Sequence, residues 1–360
     1  MYVPSDTFLR NQSQDKINIR YKPTSEMSAS NTGTDGKGLK IFITGATGYI
    51  GGRITELAAP DGYTIRGLSR NEAGDAKVKS RGATPVRGDL TTLDVLKHEA
   101  SQADIVLHLA FTHDFNVPYA QVLALDAAAV DALAQGIKGT NKPLLISSGS
   151  ALVEPNADGG ETDETAPWSK DAILPRLKAE QHALNWVKEG VNVMSIRLAP
   201  YVYGRGGHGF LAFLMQSALK NGEVLYIDDG SVHSSDCYID AAAKMYILAA
   251  RKGKPGDIFN CTTSTNITYK QLSEAIGEAM KLPVKSVSKE QAEEKLGPLL
   301  TKVVAFENRA SSRKAEELLG WKPEGPDRLT ELREGSYLSV AEQLRATGEM
   351  PSDVELPQKE

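Results

Sequence analysis

The sequence predicts an α/β fold of the Rossmann type, in which a doubly wound parallel sheet carries a smaller C-terminal substrate lobe. Between residues 39 and 198, short apolar runs rich in β-branched residues alternate with helical segments, which is typical of a parallel sheet. A glycine-rich turn directly follows the first of these runs and opens a helix. Hydrophobic residues make up 41% of the 360 residues, which is enough for a large core.

The strongest single motif is the glycine-rich turn after the first predicted strand, Leu39–Thr44. The turn reads GATGYIGG, so its glycines follow the spacing G-x-x-G-x-x-G. In a dinucleotide-binding loop the first glycine permits the tight turn, the second lets the backbone approach a pyrophosphate, and the third lets the helix pack on the strand. The free N–H groups and positive dipole end of the helix then face the phosphates. The predicted cofactor contacts in this loop are Gly45, Thr47, Gly48, Tyr49, Ile50 and Gly51.

The end of the second predicted strand, Tyr63–Leu68, indicates which dinucleotide the loop would bind. NAD sites usually have Asp or Glu here, about 20 residues after the glycines, to bind the ribose 2′-hydroxyl. This chain has Ser69 and Arg70 instead. A hydroxyl and a guanidinium suit a 2′-phosphate, so we expect NADP, with NAD the less favoured cofactor. The alternative is that Arg70 is a solvated surface charge.

Four more strands are predicted, and their carboxyl ends should line one cleft, because ligands bind at that edge of such sheets. The third strand ends in a polar segment where an adenine could rest. The other three are Ala103–Ala110, Pro143–Ser148 and Val191–Leu198. At the ends of these strands the predicted cofactor contacts are Asp89, Leu90, Leu109, Ala110, Leu198 and Ala199.

Composition and charge argue against several classes of partner. With 41 Lys and Arg against 46 Asp and Glu, the formal net charge is −5, so no nucleic-acid partner is expected. No stretch has the roughly 20 apolar residues that a membrane span needs. Cys237 and Cys261 are expected to be buried small hydrophobes, which fits a reducing, cytoplasmic location. No motif has metal-ligand spacing, so no metal is expected.

The chain divides into four predicted segments. Residues 1–38 are mostly polar and are expected to be a disordered tail. Residues 39–205 are the predicted Rossmann domain, 206–335 are mainly the substrate lobe with interleaved Rossmann elements, and 336–360 are a C-terminal helix and tail. The lobe is expected to contain the elements Phe210–Lys220, Val224–Ile227, Cys237–Ala250, Ile258–Thr262 and Tyr269–Met280.

Five motifs, the glycine-rich turn among them, occur in family order along the chain. They are TGATGYIGG at 44–52, GDL at 88–90, HLA at 108–110, RLAPYVYG at 197–204 and SSRKAEELLGWKP at 311–323. Together they resemble the short-chain dehydrogenase/reductase superfamily, in its extended, NAD(P)-dependent epimerase/dehydratase-like type. The resemblance covers about residues 39–335 and implies a Rossmann fold with a nicotinamide cofactor. Members of this type often pair as homodimers, which leaves a homodimer open here.

The resemblance fails at the catalytic motif. Family members use Tyr-x-x-x-Lys after an upstream Ser or Thr; the Tyr exchanges a proton with the substrate, and the Lys binds the nicotinamide ribose and lowers the Tyr pKa. Here Lys178 is expected at the Lys position, and Leu174 stands four residues earlier. Ser148 or Ser150 would be the substrate-binding hydroxyl. No tyrosine lies between residues 120 and 200, so the chain resembles an atypical subgroup that lacks the catalytic Tyr.

Another side chain could supply the proton. His113 lies just past the fourth strand, and histidine can act as a general acid near neutral pH; the alternative is a solvated loop histidine. Three functions follow from these observations. We favour an NADP-dependent oxidoreductase that acts on the carbonyl or alcohol of a small-molecule substrate. The alternatives are a non-redox isomerase, dehydratase or cyclase, and a non-enzymatic NADP sensor.

Overall fold

Strands and helices alternate along the described part of the chain. The structure is a computed structural model, and it describes residues 37–112, 117–173, 176–207 and 209–350. In chain order the strands of these residues are β1 (Lys40–Thr44), β2 (Thr64–Ser69), β3 (Thr84–Arg87), β4 (Ile105–His108), β5 (Pro143–Gly149), β6 (Asn192–Leu198), β7 (Tyr201–Tyr203), β8 (Val224–Ile227), β9 (Asp236–Tyr238), β10 (Ile258–Cys261) and β11 (Val284–Val287). The helices are α1 (Tyr49–Ala58), α2 (Glu72–Ser80), α3 (Leu93–Gln102), α4 (Tyr119–Ile137), α5 (Leu177–Asn185), α6 (Phe210–Asn221), α7 (Ile239–Lys252), α8 (Tyr269–Met280), α9 (Lys289–Ala305), α10 (Arg313–Leu319), α11 (Arg328–Arg333) and α12 (Tyr337–Thr347).

Seven strands form one sheet in the order β10-β6-β5-β4-β1-β2-β3, and every neighbouring pair runs parallel. The predicted α/β fold, a doubly wound Rossmann-type sheet with a smaller C-terminal lobe, is therefore confirmed. The strand order reverses between β1 and β4. In such sheets ligands bind outside the carboxyl ends of the strands at this point. The glycine-rich turn after β1 and the residues after β4 border that crevice.

The strands are apolar because helices cover both faces of the sheet. Along β1, side chains alternate between the two faces. Ile41 and Ile43 belong to the core that α1 and α7 share, whereas Phe42 belongs to the core under α3, α4 and α5. This burial on both sides explains the continuous apolar runs that the sequence shows.

The helix α4 is long and apolar enough to cross a membrane by length and composition. Eight of its residues are buried, and Val130 and Leu133 are at most 1% exposed. It packs against α3 and α5 on one face of the sheet. The apolar composition of α4 is therefore accounted for by its place in the core.

Two elements that the sequence assigned to the substrate lobe belong to the sheet instead. β10 is an edge strand beside β6, where Phe259 is opposite Ile196, and α7 packs on α1. The expectation that Cys237–Ala250 and Ile258–Thr262 build the lobe is therefore wrong. β10 extends the sheet, and α7 covers one of its faces. Met245 of α7 and Phe259 of β10 are fully buried in the same core as β1.

The smaller lobe has its own core. It consists of α6, α8, α9, α11, α12 and a two-stranded parallel sheet of β8 and β11. Met215, Leu272 and Leu344 lie in this core and are at most 1% exposed. The helix expected in segment 336–360 is α12. The predicted tail, apart from residues 37 and 38, lies outside the described residues, as do residues 351–360.

Candidate functional site

The turn after β1 needs glycine at two positions because other backbone atoms come too close for a side chain. Gly45 has a φ of +80°, and a Cβ there would lie 2.8 Å from the backbone nitrogen of Ala110. A Cβ at Gly51 would lie 2.2 Å from the carbonyl oxygen of Gly45. The N–H of Gly48 donates to that same oxygen at 3.0 Å. The loop is therefore tight, and it holds the start of α1 against β1.

The N-terminus of α1 has the features of an anion site. Gly48 is the N-cap residue, no side chain caps the helix, and its first turn holds no acidic residue. The first backbone N–H groups of α1 therefore have no side-chain partner, and the helix dipole adds a partial positive charge. Thr47, Tyr49 and Ile50 are half-buried around this end. The diphosphate of a dinucleotide fits these unpaired donors.

The end of β2 places Ser69 and Arg70 beside the start of α2. Ser69 is buried, and its Oγ donates to the carbonyl oxygen of Asn71 at 3.1 Å. Asn71 is the N-cap residue of α2, and its Oδ1 accepts from the N–H of Gly74. Arg70 is exposed, so its guanidinium is accessible to a ligand at the carboxyl edge of the sheet.

One carboxylate lies near this pair of residues. Asp75 on α2 forms an ion pair with Arg87, the last residue of β3. The hydrogen bond from Arg87 holds the pKa of Asp75 below its usual range. Because Arg87 compensates the charge of Asp75, this carboxylate does not make the site anionic.

The residues after β3 face Arg70. Asp89 accepts from the N–H of Thr91 at 2.8 Å and from its Oγ1 at 2.6 Å. These hydrogen bonds lower the pKa of Asp89, and the charge of Arg70 lowers it further. Leu90 follows and is half-buried. Asp89 is therefore held ionised next to the cation at the end of β2.

A buried hydrogen-bond chain fixes the ends of β1 and β4. The Oγ1 of Thr44 lies 2.8 Å from Nδ1 of His108, and Nε2 of His108 lies 3.2 Å from Oδ1 of Asp126 on α4. Thr44 also accepts from the N–H of Ala110, at 3.3 Å through its Oγ1, and from the N–H of Leu109, at 3.1 Å through its carbonyl. The two predicted cofactor contacts after β4 are therefore held beside the glycine-rich turn.

Arg176 occupies the corner between β5 and α5. Its Nη2 donates to the carbonyl oxygen of Ser147 at 3.2 Å, and its guanidinium carbon lies 3.8 Å from the centre of the Phe111 ring. Its Nε is buried and has no partner among the described residues. Burial lowers the pKa of Arg176 below its usual range. A half-buried cation, whose buried Nε has no partner among the described residues, therefore stands at the carboxyl end of β5.

The two candidate hydroxyls, one at the end of β5 and one just after it, have different surroundings. Ser150 is fully buried, and its Oγ donates to Oδ1 of Asn308 at 2.9 Å, while Nδ2 of Asn308 donates back to the carbonyl of Ser150. Ser148 is 4% exposed, and its Oγ has no hydrogen-bond partner among the described residues. Ser150 therefore fastens the segment after β5, whereas Ser148 keeps its hydroxyl for a ligand.

Lys178 lies on the outer side of α5. The inner side carries Glu180, whose carboxylate binds the buried Arg197 of β6 at 2.7 Å. With 3.6 residues per turn, Arg176 lies on the same side as Glu180, and Lys178 lies about 200° away from Arg176. Lys178 is exposed. The cation that reaches the end of β5 is therefore Arg176, and the role of Lys178 stays a prediction.

The last predicted cofactor contacts are Leu198, the final residue of β6, and Ala199, which follows it. The chain continues through β7 into a glycine-rich loop that meets α1. There the Tyr49 hydroxyl donates to the carbonyl oxygen of Gly204, and a Cβ at Gly207 would collide with the Tyr49 ring. Tyr49 therefore connects the start of α1, next to the glycine-rich turn, to the segment that leads into the smaller lobe.

Two residues of the predicted catalytic region, and the question of a metal site, remain. His113 and Leu174 lie outside the described residues. Within the described residues, no three His, Cys, Asp or Glu side chains are grouped so that they could hold a metal ion.

The sequence pattern of the NAD dependent epimerase/dehydratase family matches residues 41–262, more than half of the chain. The chain belongs to this family. The match covers the glycine-rich turn, the six strands from β1 to β6 and the edge strand β10. Members of this family are NAD(P)-dependent enzymes, which agrees with the unpaired donors at the start of α1.

Several known proteins are similar to this family member. Uncharacterized proteins of Schizosaccharomyces pombe and Saccharomyces cerevisiae are 34% and 33% identical, over 83% and 82% of this chain and 100% and 98% of theirs. A 4-hydroxy-2-methyl-3-oxo-4-farnesyl-3,4-dihydroquinoline-1-oxide ketoreductase of Stigmatella aurantiaca is 26% identical over 62% of this chain and 68% of its own. A UDP-glucose 4-epimerase structure from Thermotoga maritima shares the fold, with a TM-score of 0.65, 21% identity and coverage of 86% of this chain and 100% of that one.

Sequence reasoning missed two residues at the corner of this family member's cleft. The family motif places a lysine on α5, so the motif does not indicate Arg176. Tyr119, the first residue of α4, lies one position before residues 120–200, the region that contains no tyrosine. Its hydroxyl is buried and has no partner among the described residues. The signal that could have found it is its place directly after the fourth strand's loop, at the carboxyl edge of the sheet.

Proposed function

We propose that this protein is an NADP-dependent oxidoreductase that acts on the carbonyl or alcohol of a small molecule. The observation that carries the proposal is the cation Arg70 at the end of β2, beside the uncapped N-terminus of α1. The diphosphate would bind at α1, and a phosphate on the adenosine ribose would then lie near Arg70. A guanidinium binds a phosphate through charge-assisted hydrogen bonds, so Arg70 would favour NADP over NAD.

The chain's own residues would prepare the rest of the cleft. Asp89 and Leu90 would contact the adenine, and Leu109 and Ala110 would line the crevice beside the glycine-rich turn. The bound nicotinamide would supply or accept a hydride. At the end of β5, Ser148 keeps a free hydroxyl that can donate to a substrate oxygen. A carbonyl polarised by that hydroxyl is the substrate group that such a cleft would reduce.

The ketoreductase of Stigmatella aurantiaca supports the redox proposal, because that relative reduces a ketone by its name. We also propose that the protein acts in the cytoplasm, that neither nucleic acid nor membrane is its partner, and that it pairs as a homodimer. The formal charge of −5 supports the absence of a nucleic-acid partner.

The first test is nucleotide binding by the full chain, followed through the fluorescence of NADPH and of NADH. We expect NADPH to bind more tightly than NADH. In Gly48→Asp a carboxylate at the N-terminus of α1 repels the diphosphate, so NADPH binding should be lost. Asn141→Asp adds the same charge before β5, at the opposite edge of the sheet, and should bind NADPH normally.

A panel of aldehydes and ketones then tests the reaction, with the loss of NADPH absorbance as the signal. Turnover of any panel member supports the oxidoreductase. Failure to bind either nucleotide would overturn the proposal. Tight NADPH binding without turnover of the panel, or of the corresponding alcohols with NADP, would favour the non-redox enzyme or the sensor.

A further inference from the structure

Three buried polar groups that have no hydrogen-bond partner among the described residues lie at the carboxyl edge of the sheet. They are the hydroxyl of Tyr119 at the start of α4, Oγ of Ser148 at the end of β5, and Nε of Arg176 just before α5. The ring of Phe111 neighbours two of these residues: its centre lies 6.3 Å from the centre of the Tyr119 ring and 3.8 Å from the guanidinium carbon of Arg176. Arg176 also donates to the carbonyl of Ser147, the neighbour of Ser148.

A ligand could accept hydrogen bonds from these three groups, which have no acceptor among the described residues. A buried donor without an acceptor destabilises a protein, and more so when the group is charged. No carboxylate of the described residues lies within 4.0 Å of the guanidinium of Arg176, so the cation also lacks an ion-pair partner there. Each of the three groups can donate a hydrogen bond to a ligand. A ligand oxygen that gains negative charge during reaction matches that set of donors.

We propose that Tyr119 is the proton donor of the reaction and that the charge of Arg176 stabilises its phenolate. The inference deepens the proposed function, because it rests on hydride transfer to a carbonyl. The carbonyl carbon receives a hydride from a reduced nicotinamide dinucleotide, and the π electrons of the C=O bond move to its oxygen. That oxygen takes the proton of Tyr119. The carbonyl is reduced to an alcohol, the nicotinamide is oxidised, and water reprotonates the phenolate.

The electrostatics of the corner agree with this assignment. Burial raises the pKa of Tyr119 above its usual value, the charge of Arg176 lowers it, and Asp126 raises it. The net pKa is raised, so the phenol holds its proton at neutral pH and can donate it. When the proton leaves, the nearby guanidinium favours the charged form. Arg176 would therefore do for Tyr119 what a lysine does for the family's tyrosine.

Other phenols near the cleft are engaged. The hydroxyl of Tyr246 lies 2.6 Å from Oγ of Ser147, that of Tyr203 donates to the carbonyl of Pro326 at 2.7 Å, and that of Tyr201 donates to Tyr269. Tyr119 differs from them because its hydroxyl has no partner among the described residues, and its ring neighbours the Phe111 ring that Arg176 contacts. Proton transfer from Tyr119 would break no hydrogen bond within the described protein.

The first test measures the ionisation of residue 119 in the nucleotide-free protein. We would place 3,5-difluorotyrosine at position 119, because its phenol titrates closer to neutral pH, and follow it by ¹⁹F NMR. Arg176→Ala should lower the ionisation constant of this phenol about tenfold, since an opposite charge is removed. Arg176→Lys keeps the positive charge, so its phenol should have nearly the wild-type ionisation constant.

The matched control is the same probe at position 63. The hydroxyl of Tyr63 is also buried and unpartnered, but it lies before β2, at the opposite edge of the sheet. Arg176→Ala should leave the ionisation of residue 63 unchanged, whereas a general loosening of the fold would change both probes. An unchanged ionisation constant at position 119 in Arg176→Ala would overturn the coupling.

The second test is turnover of a carbonyl found with the panel. Tyr119→Phe should lower kcat about 10²–10⁴-fold, the usual effect of losing a general acid, with an unchanged Kd for NADPH. Tyr63→Phe should keep the wild-type kcat. If NADPH binds and a carbonyl is reduced, but Tyr119→Phe keeps the wild-type kcat, this inference fails alone. If no nucleotide binds, the proposed function fails, and the titration still decides whether Arg176 controls Tyr119.

Discussion

Gly51 lies directly against the carbonyl oxygen of Gly45, so that a Cβ at position 51 would come within 2.2 Å of it. Both partners are backbone, and neither can rotate away. Gly51→Ala should therefore push α1 off β1, lower the free energy of unfolding by about 1–3 kcal/mol and weaken NADPH binding. Urea denaturation and nucleotide titration measure the two effects.

The control for this substitution is Gly149→Ala. Gly149 has a φ of −137°, and the nearest atom to its added Cβ would be the carbonyl oxygen of Leu198 at 4.0 Å. Its free energy of unfolding should change by no more than about 0.5 kcal/mol. Equal stability of the two variants would contradict the claim that Gly51 sets the approach of α1.

Arg70 should decide the choice between the two dinucleotides. Arg70→Asp removes a guanidinium from the end of β2 and supplies a carboxylate, which suits a ribose 2′-hydroxyl. The Kd for NADPH should rise about 10–100-fold, the worth of a charge-assisted hydrogen bond, while the Kd for NADH should stay equal or fall. Fluorescence titration with each nucleotide measures both constants.

The control is Lys79→Asp, which makes the same charge change on α2. Lys79 lies in the last turn of α2, away from its start beside Arg70. We expect this variant to keep the wild-type ratio of the two Kd values. A similar loss of NADPH binding in both variants would mean that net charge, rather than a contact with Arg70, sets the preference.

The buried ion pair of Glu180 and Arg197 should be the strongest link between α5 and β6. Glu180 is 1% exposed, and it also accepts from Oγ of Ser195 at 2.9 Å. Glu180→Ala leaves the guanidinium of Arg197 buried and uncompensated, so the free energy of unfolding should fall by about 3–5 kcal/mol. Chemical denaturation of the purified variant measures the loss.

The comparison variant is Glu189→Ala. Glu189 pairs with Lys138 at the surface, where the two side chains are 60% and 49% exposed. Its loss should lower the free energy of unfolding by at most about 1 kcal/mol, because solvent screens the pair. If Glu180→Ala cost no more than Glu189→Ala, the buried pair would not anchor α5.

Local patterns predicted the sheet well, since each strand buried on both faces is a continuous apolar run. The same patterns could not place β10. Its four residues, Ile258–Cys261, resemble any short strand, and their partner is β6, which lies some sixty residues earlier in the chain. Pairing at that distance depends on which edge of the sheet is still open, and no local signal carries this.

The candidate site shows the same division. The glycine-rich turn depends on contacts within a few residues, and its spacing was readable. The choice between Arg176 and Lys178 depends on which side of α5 faces the sheet. That side is set by Glu180, whose partner Arg197 comes from another strand. A pattern search along one helix therefore found a cation close to the one that reaches the site, but on the outer side.

Of the two candidate hydroxyls at the end of β5, we expect Ser150 to support the fold and Ser148 to bind the substrate. Ser150→Ala removes the donor to Asn308 and leaves a buried amide oxygen unpaired, so the free energy of unfolding should fall by about 1–3 kcal/mol. Ser148→Ala removes a hydroxyl that has no partner among the described residues, so stability should change little.

Turnover should show the reverse order. With a carbonyl substrate in hand, Ser148→Ala should reduce kcat/KM about 10-fold or more, because a donor to the substrate oxygen is lost. Ser150→Ala should keep nearly wild-type kcat/KM below its unfolding transition. Denaturation curves and steady-state kinetics of the two variants together make the test. If Ser148→Ala were the less stable variant and Ser150→Ala the less active one, the hydroxyl that binds substrate would be Ser150, and Ser148 would belong to the core.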